Sequence, residues 1–211
     1  MSRTLHGIAR ALDIDRSERR LEALVDYVEL LERWNAAYNL TALRERAAVL
    51  TQHLSDCLAV VPALARHAEG GRLLDVGSGA GLPGVVIAAM LPGWDVTCVD
   101  AVGKKAAFVR HAAGALRLPN LHAEHVRIEA LRAPAFDVIT ARAFGSLAEL
   151  VRLTARHLAP GGVWLAMKGH EPVEEMAALP AEIDVFHVEP LAVPGLAAQR
   201  CLVWMRSRRG G

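Results

Sequence analysis

The sequence predicts an α/β protein with a mainly parallel sheet, an antiparallel hairpin at one edge of that sheet, and a helical extension at the N-terminus. Three observations favour this fold class. Apolar residues recur at helical spacing in the first third of the chain, short apolar runs then alternate with helical stretches, and a glycine-rich turn follows the first of these runs. Such alternation is typical of βαβ units, in which a helix returns the chain to the start of the next parallel strand.

The first third of the chain is predicted to be helical. Between residues 17 and 38, apolar residues recur every three or four positions with charged residues between them. This stripe comprises Leu21, Leu24, Val25, Val28 and Leu31. Ser17, just before it, has the side chain of an N-cap. A second helical pattern covers residues 47–66, with an interruption expected near Pro62.

The remainder of the chain is predicted to hold the sheet. The expected strands are 72–76, 95–100, 121–126, 136–141 and 163–168. The helices between them are expected at 84–91, 104–116 and 147–158. Pro160-Gly161-Gly162 is interpreted as the stop of the last helix. Two further strands, 183–189 and 200–207, have only a loop between them, so we expect them to pair antiparallel at one edge. We therefore divide the chain into an extension, 1–70, packed on a core, 71–211, as one compact unit.

Composition and charge exclude several classes of protein. The 211 residues carry 24 Lys and Arg against 23 Asp and Glu, so a polyanionic ligand has to be met by a local patch of charge. The N-terminus lacks the apolar segment of a secretory signal, and no apolar run approaches the roughly 20 residues of a membrane span. Cys57, Cys98 and Cys201 are far apart, which argues against a disulfide framework or a zinc knuckle. We expect a cytoplasmic protein with no membrane or metal partner.

The most informative segment is the glycine-rich turn, which reads Leu-Leu-Asp-Val-Gly-Ser-Gly-Ala-Gly-Leu-Pro-Gly over residues 73–84. It follows a strand and precedes a helix, which is where open α/β sheets bind their ligands. Gly79, Gly81 and Gly84 match the dinucleotide-binding fingerprint, and Asp100 has the spacing of its ribose-binding acid. A nicotinamide-dependent oxidoreductase is therefore one interpretation.

Two residues favour a different nucleotide. Asp75 ends the strand just before the glycines, where its carboxylate would repel a pyrophosphate but suit a cationic or zwitterionic group. Pro83 removes a backbone donor that a phosphate would use. S-adenosylmethionine has a sulfonium, an amino acid moiety and a ribose but no phosphate, and it fits better. Asp100 would accept hydrogen bonds from the ribose hydroxyls, and the glycines, Gly79 among them, would let the backbone approach the cofactor.

The glycine loop is accompanied by other recognisable segments. These are Trp34-Asn35-Ala36-Ala37-Tyr38-Asn39-Leu40-Thr41, His53-Leu54-Ser55-Asp56, Gly103-Lys104-Lys105, Arg142-Ala143 and Lys168-Gly169. Together with the loop they resemble the bacterial 16S ribosomal RNA guanine-N7 methyltransferases, the family once called glucose-inhibited division protein B. The resemblance covers nearly the whole chain, with Ser78 and Ala80 in place of the Thr and Pro common in the loop.

This resemblance implies a class I, Rossmann-like methyltransferase. It would transfer a methyl group from S-adenosylmethionine to N7 of one guanine in 16S rRNA, near the decoding region of the small subunit, and release S-adenosylhomocysteine. The cofactor contacts implied by the family map onto Gly77, Leu82, Ile128, Glu129 and Arg142.

The residue types near the expected site agree with a guanine N7 acceptor. An exocyclic amine commonly requires an Asn- or Asp-Pro-Pro-aromatic loop after the fourth strand, where this chain has Thr140-Ala141-Arg142-Ala143-Phe144. Cytosine C5 requires a cysteine nucleophile, and none of the cysteines is expected in the crevice. Guanine N7 has a lone pair and no proton, so transfer needs alignment but no general base. Arg142, at a strand end, is our catalytic candidate, because its guanidinium could bridge the cofactor site and a base edge or phosphate.

Polar and basic residues provide candidates for RNA contact. They are Asn35, Asn39, Lys104, Lys105, Lys168 and Arg200. Trp34 and Tyr38 could contact RNA or, equally, dock the N-terminal helices on the sheet. Phe144 could stack on the base or pack in the core.

His53, Asp56 and Cys57 have helical spacing, but they lack a fourth metal ligand, so we expect hydrogen bonds between helix and core there. We expect a monomer that acts on 16S rRNA or the small ribosomal subunit. Two further alternatives are a non-catalytic RNA-binding module and a methyltransferase with a small-molecule acceptor.

Overall fold

The computed structural model describes residues 2–40 and 53–208. Within these ranges seven strands form one sheet. They are β1 (Gly71–Val76), β2 (Trp94–Asp100), β3 (Leu121–His125), β4 (Phe136–Arg142), β5 (Leu158–Lys168), β6 (Ile183–Pro190) and β7 (Cys201–Ser207). The order across the sheet is β3-β2-β1-β4-β5-β7-β6. Strands β1 to β5 are parallel, whereas β7 is antiparallel to both β5 and β6. The predicted parallel sheet with an antiparallel edge hairpin is confirmed.

The helices in the described ranges are α1 (Ser2–Ala11), α2 (Glu18–Tyr38), α3 (Ser55–Leu58), α4 (Val60–His67), α5 (Gly84–Met90), α6 (Gly103–Ala115), α7 (Leu147–Thr154) and α8 (Val173–Ala177). Two short 3-10 helices, Ile128–Ala130 and Ala155–His157, precede β4 and β5. None of the helices described is long and apolar enough to cross a membrane.

The strands present alternate side chains to two apolar layers. Leu73 and Val96 belong to a cluster that also contains buried residues of α1 to α6, so the N-terminal helices share one core with this face of the sheet. Leu74 and Ile139 face the other side, where they pack with α7. The carboxyl ends of β1, β2 and β4 meet at one edge, which is the edge that bears the glycine loop.

The expected end of the helix at 147–158 is wrong. Helix α7 stops at Thr154, a 3-10 turn follows, and β5 already begins at Leu158. Pro160-Gly161-Gly162 therefore lie inside a strand, where the pairing of β5 with β4 shifts register. Gly161 has a φ of +80° there. Proline and glycine are tolerated at such irregularities, so the same residues fit a bulged strand as well as a helix stop.

The expected break near Pro62 is also misplaced. The helix is interrupted at Ala59, and Pro62 lies in the first turn of α4, where the N–H that proline lacks would have had no helical partner. Residues 47–52 of this predicted helix lie outside the described residues. Ser17 does occupy the N-cap position of α2, but its side chain makes no capping hydrogen bond.

Candidate functional site

The glycine loop follows a path that side chains would obstruct. Gly77, Gly79 and Gly81 have φ values of +64°, +59° and +84°, in the left-handed region that favours glycine. A Cβ at Gly77 would lie 2.9 Å from Cδ2 of Phe144, and one at Gly81 would lie 2.6 Å from Cγ2 of Val85. The sequence requirement for glycine here is therefore both conformational and steric.

Two buried carboxylates hold this loop. Asp100 accepts a hydrogen bond from the N–H of Gly79 at 2.9 Å on one oxygen and from the N–H of Val102 at 2.8 Å on the other. Asp75 accepts one from the N–H of Gly84 at 2.8 Å. Asp75 is completely buried, so it lies beneath the loop and not on the crevice surface where we expected it to meet the cofactor. In this arrangement it supports the loop.

Burial raises the pKa of Asp75 from 3.8 to about 7, although the Gly84 N–H and the charge of Arg142 lower it. Between these values the folded chain keeps a proton that the unfolded chain releases. Asp75 therefore stabilises the fold fully below about pH 4, and this contribution is lost as the pH rises to about 7.

Replacing Asp75 by asparagine should remove this pH dependence while preserving an oxygen acceptor for Gly84. Across the same window the free energy of unfolding of the variant should change less than that of the wild type, by roughly 1.4 kcal/mol per pH unit. Urea unfolding of both proteins at several pH values measures the difference. If the free energies of unfolding of the two proteins changed equally with pH, Asp75 would be ionised in the folded protein.

A cavity of about 300 Å³ lies beside the loop. Its lining includes Gly77, Asp100, Ile128, Glu129 and Phe144. Four of the residues expected to bind the cofactor thus meet around one space, although they come from three separate strand ends. The opening offers a carboxylate acceptor, a close-approaching glycine backbone and apolar walls, which fit the ribose and base of a nucleoside.

Two side chains that follow α7, those of Arg156 and His157, hold the 3-10 helix that bears Ile128 and Glu129. Arg156 donates to the carbonyl oxygen of Ile128 at 3.2 Å and also to that of Glu129, and Nε2 of His157 lies 3.2 Å from the Ile128 oxygen. The fixed backbone keeps Ile128 and Glu129 at the cavity rim.

The other four expected cofactor residues, Asp75, Gly79, Leu82 and Arg142, do not line this cavity. Leu82 is 3% exposed and packs in the core, with its N–H bonded to the carbonyl oxygen of Ser78. Gly79 is engaged with Asp100 through its N–H. Both residues shape the loop that borders the cavity.

A second cavity of about 460 Å³ adjoins the first, and Phe144 lines both. Its charged lining residues are Arg142, Lys168 and Arg200 with one acid, Asp56, so its wall is cationic on balance. The loop that carries Phe144 is strained, since Ala143 has a φ of +55° although it is not glycine. This turn places the Phe144 ring against Gly77.

Arg142 is fixed by residues from the N-terminal helical region. Its guanidinium lies 3.1 Å from Nδ1 of His53 and 3.8 Å from a carboxylate oxygen of Asp56. The other Asp56 oxygen accepts from Nε of Arg200 at 3.0 Å. Burial raises the pKa of Asp56, while Arg200 and Arg142 lower it. Asp56 therefore joins the two arginines, a role that sequence reasoning did not find.

The expected hydrogen bonding between this helix and the core is confirmed for His53 and Asp56. Cys57 takes no part in it: the thiol is completely buried, and burial raises its pKa to about 12. Cys98 lies in β2 and Cys201 in the edge hairpin, and both are buried. None of the three cysteines lines either cavity, in agreement with the prediction that they lie outside the crevice. In residues 2–40 and 53–208, His, Cys, Asp and Glu form no group of three that could hold a metal ion.

Lys168 supports the Phe144 loop. Its ammonium lies 2.8 and 3.0 Å from the two carboxylate oxygens of Glu175 and donates to the carbonyl oxygen of Gly145 at 3.2 Å. Glu175 also accepts from the N–H of Leu147 at 2.8 Å. The sequence did not predict helix α8 or a role for Glu175. Lys168 and Glu175 together hold the end of the Phe144 loop, at Gly145 and Leu147.

The remaining candidates for RNA contact lie at the carboxyl end of α2 and the start of α6. Asn39 caps α2 with a φ of +49°, and its N–H bonds to the carbonyl oxygen of Asn35. Lys104 donates to the carbonyl oxygen of Tyr38 at 2.7 Å, and Lys105 lies 3.9 Å from Asp100. These residues therefore border the strand end that carries Asp100.

The two aromatic residues of this region differ. Trp34 is partly buried, with its ring centroid 5.5 Å from those of Phe108 and His111, which supports the docking interpretation. Tyr38 is 50% exposed. Thr41, the last residue of the motif, lies outside the described residues.

Comparison with known proteins gives a consistent family. The family model described as GidB, rRNA small subunit methyltransferase G, matches residues 20–203. A protein named ribosomal RNA small subunit methyltransferase G from Leptothrix cholodnii is 56% identical over 207 residues, covering 97% of this chain and 95% of its own. The protein of the same name from an Acidovorax strain is 54% identical over 208 residues, with 94% and 92% covered.

Solved structures share the fold. TrmN from Thermus thermophilus matches with a TM-score of 0.55 at 21% identity, over 75% of this chain and 53% of that one. The ribosomal protein L11 methylase of Lactobacillus delbrueckii subsp. bulgaricus gives a TM-score of 0.57 at 14% identity, over 76% and 79%. The expected class I fold, family resemblance and S-adenosylmethionine-dependent methyl transfer are thereby confirmed. The chain belongs to the GidB family of small-subunit rRNA methyltransferases.

Proposed function

We propose that this chain transfers a methyl group from S-adenosylmethionine to N7 of one guanine in 16S rRNA of the small ribosomal subunit. The observation that carries this proposal is the junction of two cavities at Phe144. One cavity is bordered by the glycine loop and Asp100, and the other has a wall of cationic side chains. The first cavity suits a nucleoside cofactor, and the second, which adjoins it, suits an anionic polymer.

The smaller cavity binds the cofactor. S-adenosylmethionine supplies there an electrophilic methyl group on its sulfonium. Asp100 would accept hydrogen bonds from the ribose hydroxyls, and Ile128 and Glu129 line the same cavity. Gly77 lets the backbone approach closely, and Asp75 keeps the loop in place from below.

The larger cavity receives the guanine. Arg142 and Arg200 present guanidinium groups to a base edge or a phosphate, and Phe144 offers a ring between the two cavities. Asp56 is held by both arginines, so its carboxylate is a structural anchor in place of a general base. This suits N7, which has no proton to remove and needs only an in-line approach to the methyl group.

The RNA is held along the surface that leads to this junction. Lys168 lines the larger cavity. Lys105 lies 3.9 Å from Asp100, which borders the smaller one, and Lys104 bonds to the carbonyl oxygen of Tyr38, next to Asn39 and one turn after Asn35. We assign these groups to backbone contacts that position the RNA. The protein acts in the cytoplasm, as a monomer and without a metal ion.

Transfer of tritiated methyl groups tests the acceptor. The chain is incubated with labelled S-adenosylmethionine and with 16S rRNA or small subunits from a strain that lacks this modification, and the RNA is then digested to nucleosides. We expect the label in 7-methylguanosine. Label in another nucleoside would reassign the acceptor atom, and an unlabelled RNA despite bound cofactor would contradict the rRNA assignment.

A further inference from the structure

We infer that helix α2 of the N-terminal extension contributes to cofactor binding. Its residue Tyr27 positions the glycine loop from the side away from the cavity. This inference rests on the assignment of that loop to S-adenosylmethionine. It makes Tyr27 a positioning residue that acts through the backbone of the loop, without touching the cofactor.

The central contact is one buried hydrogen bond. The side chain of Tyr27 is completely buried, and its hydroxyl donates to the carbonyl oxygen of Ala80 at 2.8 Å. Ala80 lies between Gly79 and Gly81, both in the left-handed region. An acceptor in a tight turn has no neighbouring strand to satisfy it, so the tyrosine supplies a donor that fixes the orientation of this peptide group.

The residue type at position 27 is informative. The buried side chains of α2 are otherwise aliphatic, namely Leu21, Leu24, Val28, Leu30 and Leu31. A leucine or phenylalanine would satisfy packing in such a stripe, whereas only a hydroxyl on this ring reaches the loop. The ring itself packs near Phe108 of α6, with centroids 6.0 Å apart.

Two more polar contacts tie α2 to the two helices that follow the loop in the chain, α5 and α6. Arg20 donates to the carbonyl oxygen of Met90, at the end of α5, at 2.8 Å. Near the other end of α2, the carbonyl oxygen of Tyr38 accepts from Lys104 at the start of α6. Helix α2 thus contacts the chain at three points between the glycine loop and the start of α6.

The loop is consequently held from two sides. Asp100 and Asp75 accept its N–H groups from the sheet, and Tyr27 donates to its carbonyl from the helix. A loop held in its binding conformation loses less conformational entropy when the ligand arrives, so loss of one contact should appear as weaker cofactor binding.

Replacing Tyr27 by phenylalanine tests this inference. The ring and its packing are preserved, and only the hydroxyl that reaches Ala80 is lost. We expect calorimetric affinity for S-adenosylhomocysteine to fall about 5- to 20-fold, which corresponds to ordering about one more loop residue when the ligand binds. The KM for S-adenosylmethionine should rise similarly, with kcat at saturating cofactor within about twofold of wild type.

The matched control removes another buried hydroxyl, on a helix that packs against the opposite face of the sheet from Tyr27. Thr154 on α7 is completely buried, and it accepts from Nε1 of Trp164 at 2.8 Å. Thr154→Val should lower thermal stability and leave affinity for S-adenosylhomocysteine unchanged. If Tyr27→Phe bound as tightly as wild type, or if both variants lost affinity together, the positioning role would be excluded.

Hydrogen exchange of the wild-type chain provides a second test of the inference, and it needs no variant. S-adenosylhomocysteine should slow amide exchange in the glycine loop and also in the part of α2 around Tyr27. Protection of the loop with no change in α2 would overturn the inference. A wild-type chain that does not bind S-adenosylhomocysteine would instead contradict the proposed function.

Discussion

Arg142→Ala should lower the rate of methyl transfer by about 100-fold or more, the size of effect seen when an oriented charged group is removed from a reaction site. Arg142 ends β4 at the junction of the two cavities, and it is held by His53 and Asp56. Because it lines the cationic cavity, the larger effect should fall on transfer and the smaller one on calorimetric affinity for S-adenosylhomocysteine.

Two further variants sharpen this prediction. Arg142→Lys keeps the charge but loses the planar fork, and it should recover only part of the rate. Arg206→Ala removes an arginine that is paired with Asp184 in the edge hairpin, away from both cavities, and should transfer at the wild-type rate. Turnover by Arg142→Ala close to that of Arg206→Ala would remove Arg142 from the reaction.

Asp100→Ala should weaken binding of S-adenosylhomocysteine by about 10- to 100-fold, which is the range for a charged acceptor that serves several donors. The change deletes the acceptor for the N–H groups of Gly79 and Val102, as well as the proposed partner of the ribose. Isothermal calorimetry measures the loss directly.

Asp137→Ala is the control for this change. Its carboxylate also accepts a backbone N–H, that of Arg72, but it lies at the amino ends of β1 and β4. Affinity should therefore stay at the wild-type value. An unchanged affinity in Asp100→Ala would show that neither the loop nor the ribose depends on this carboxylate.

The sheet and the cofactor loop could be predicted because their signals are local. The strands are short apolar runs, and the loop lies between a strand and a helix with glycine at each position that needs a left-handed backbone. Asp100 was found by its spacing from the loop. Pro160-Gly161-Gly162 misled the prediction because proline and glycine fit a bulged strand as well as a helix stop.

The supports of the site depend on contacts between distant residues. Asp56 and Arg200 are 144 positions apart, and Tyr27 and Ala80 are 53 apart. Periodicity assigns Tyr27 only to a buried face and cannot show which backbone group its hydroxyl meets. The left-handed Ala143, which places Phe144 between the cavities, likewise has no sequence signature, because alanine seldom adopts that conformation.

A crystal structure of the chain with S-adenosylhomocysteine is the most direct test of the central claim that the two cavities form one methyl-transfer site. We predict the product in the smaller cavity, with its ribose at Asp100 and its sulfur directed toward Phe144 and the cavity that Arg142 lines. Product bound in the larger cavity, or with its sulfur directed away from Arg142, would contradict this account.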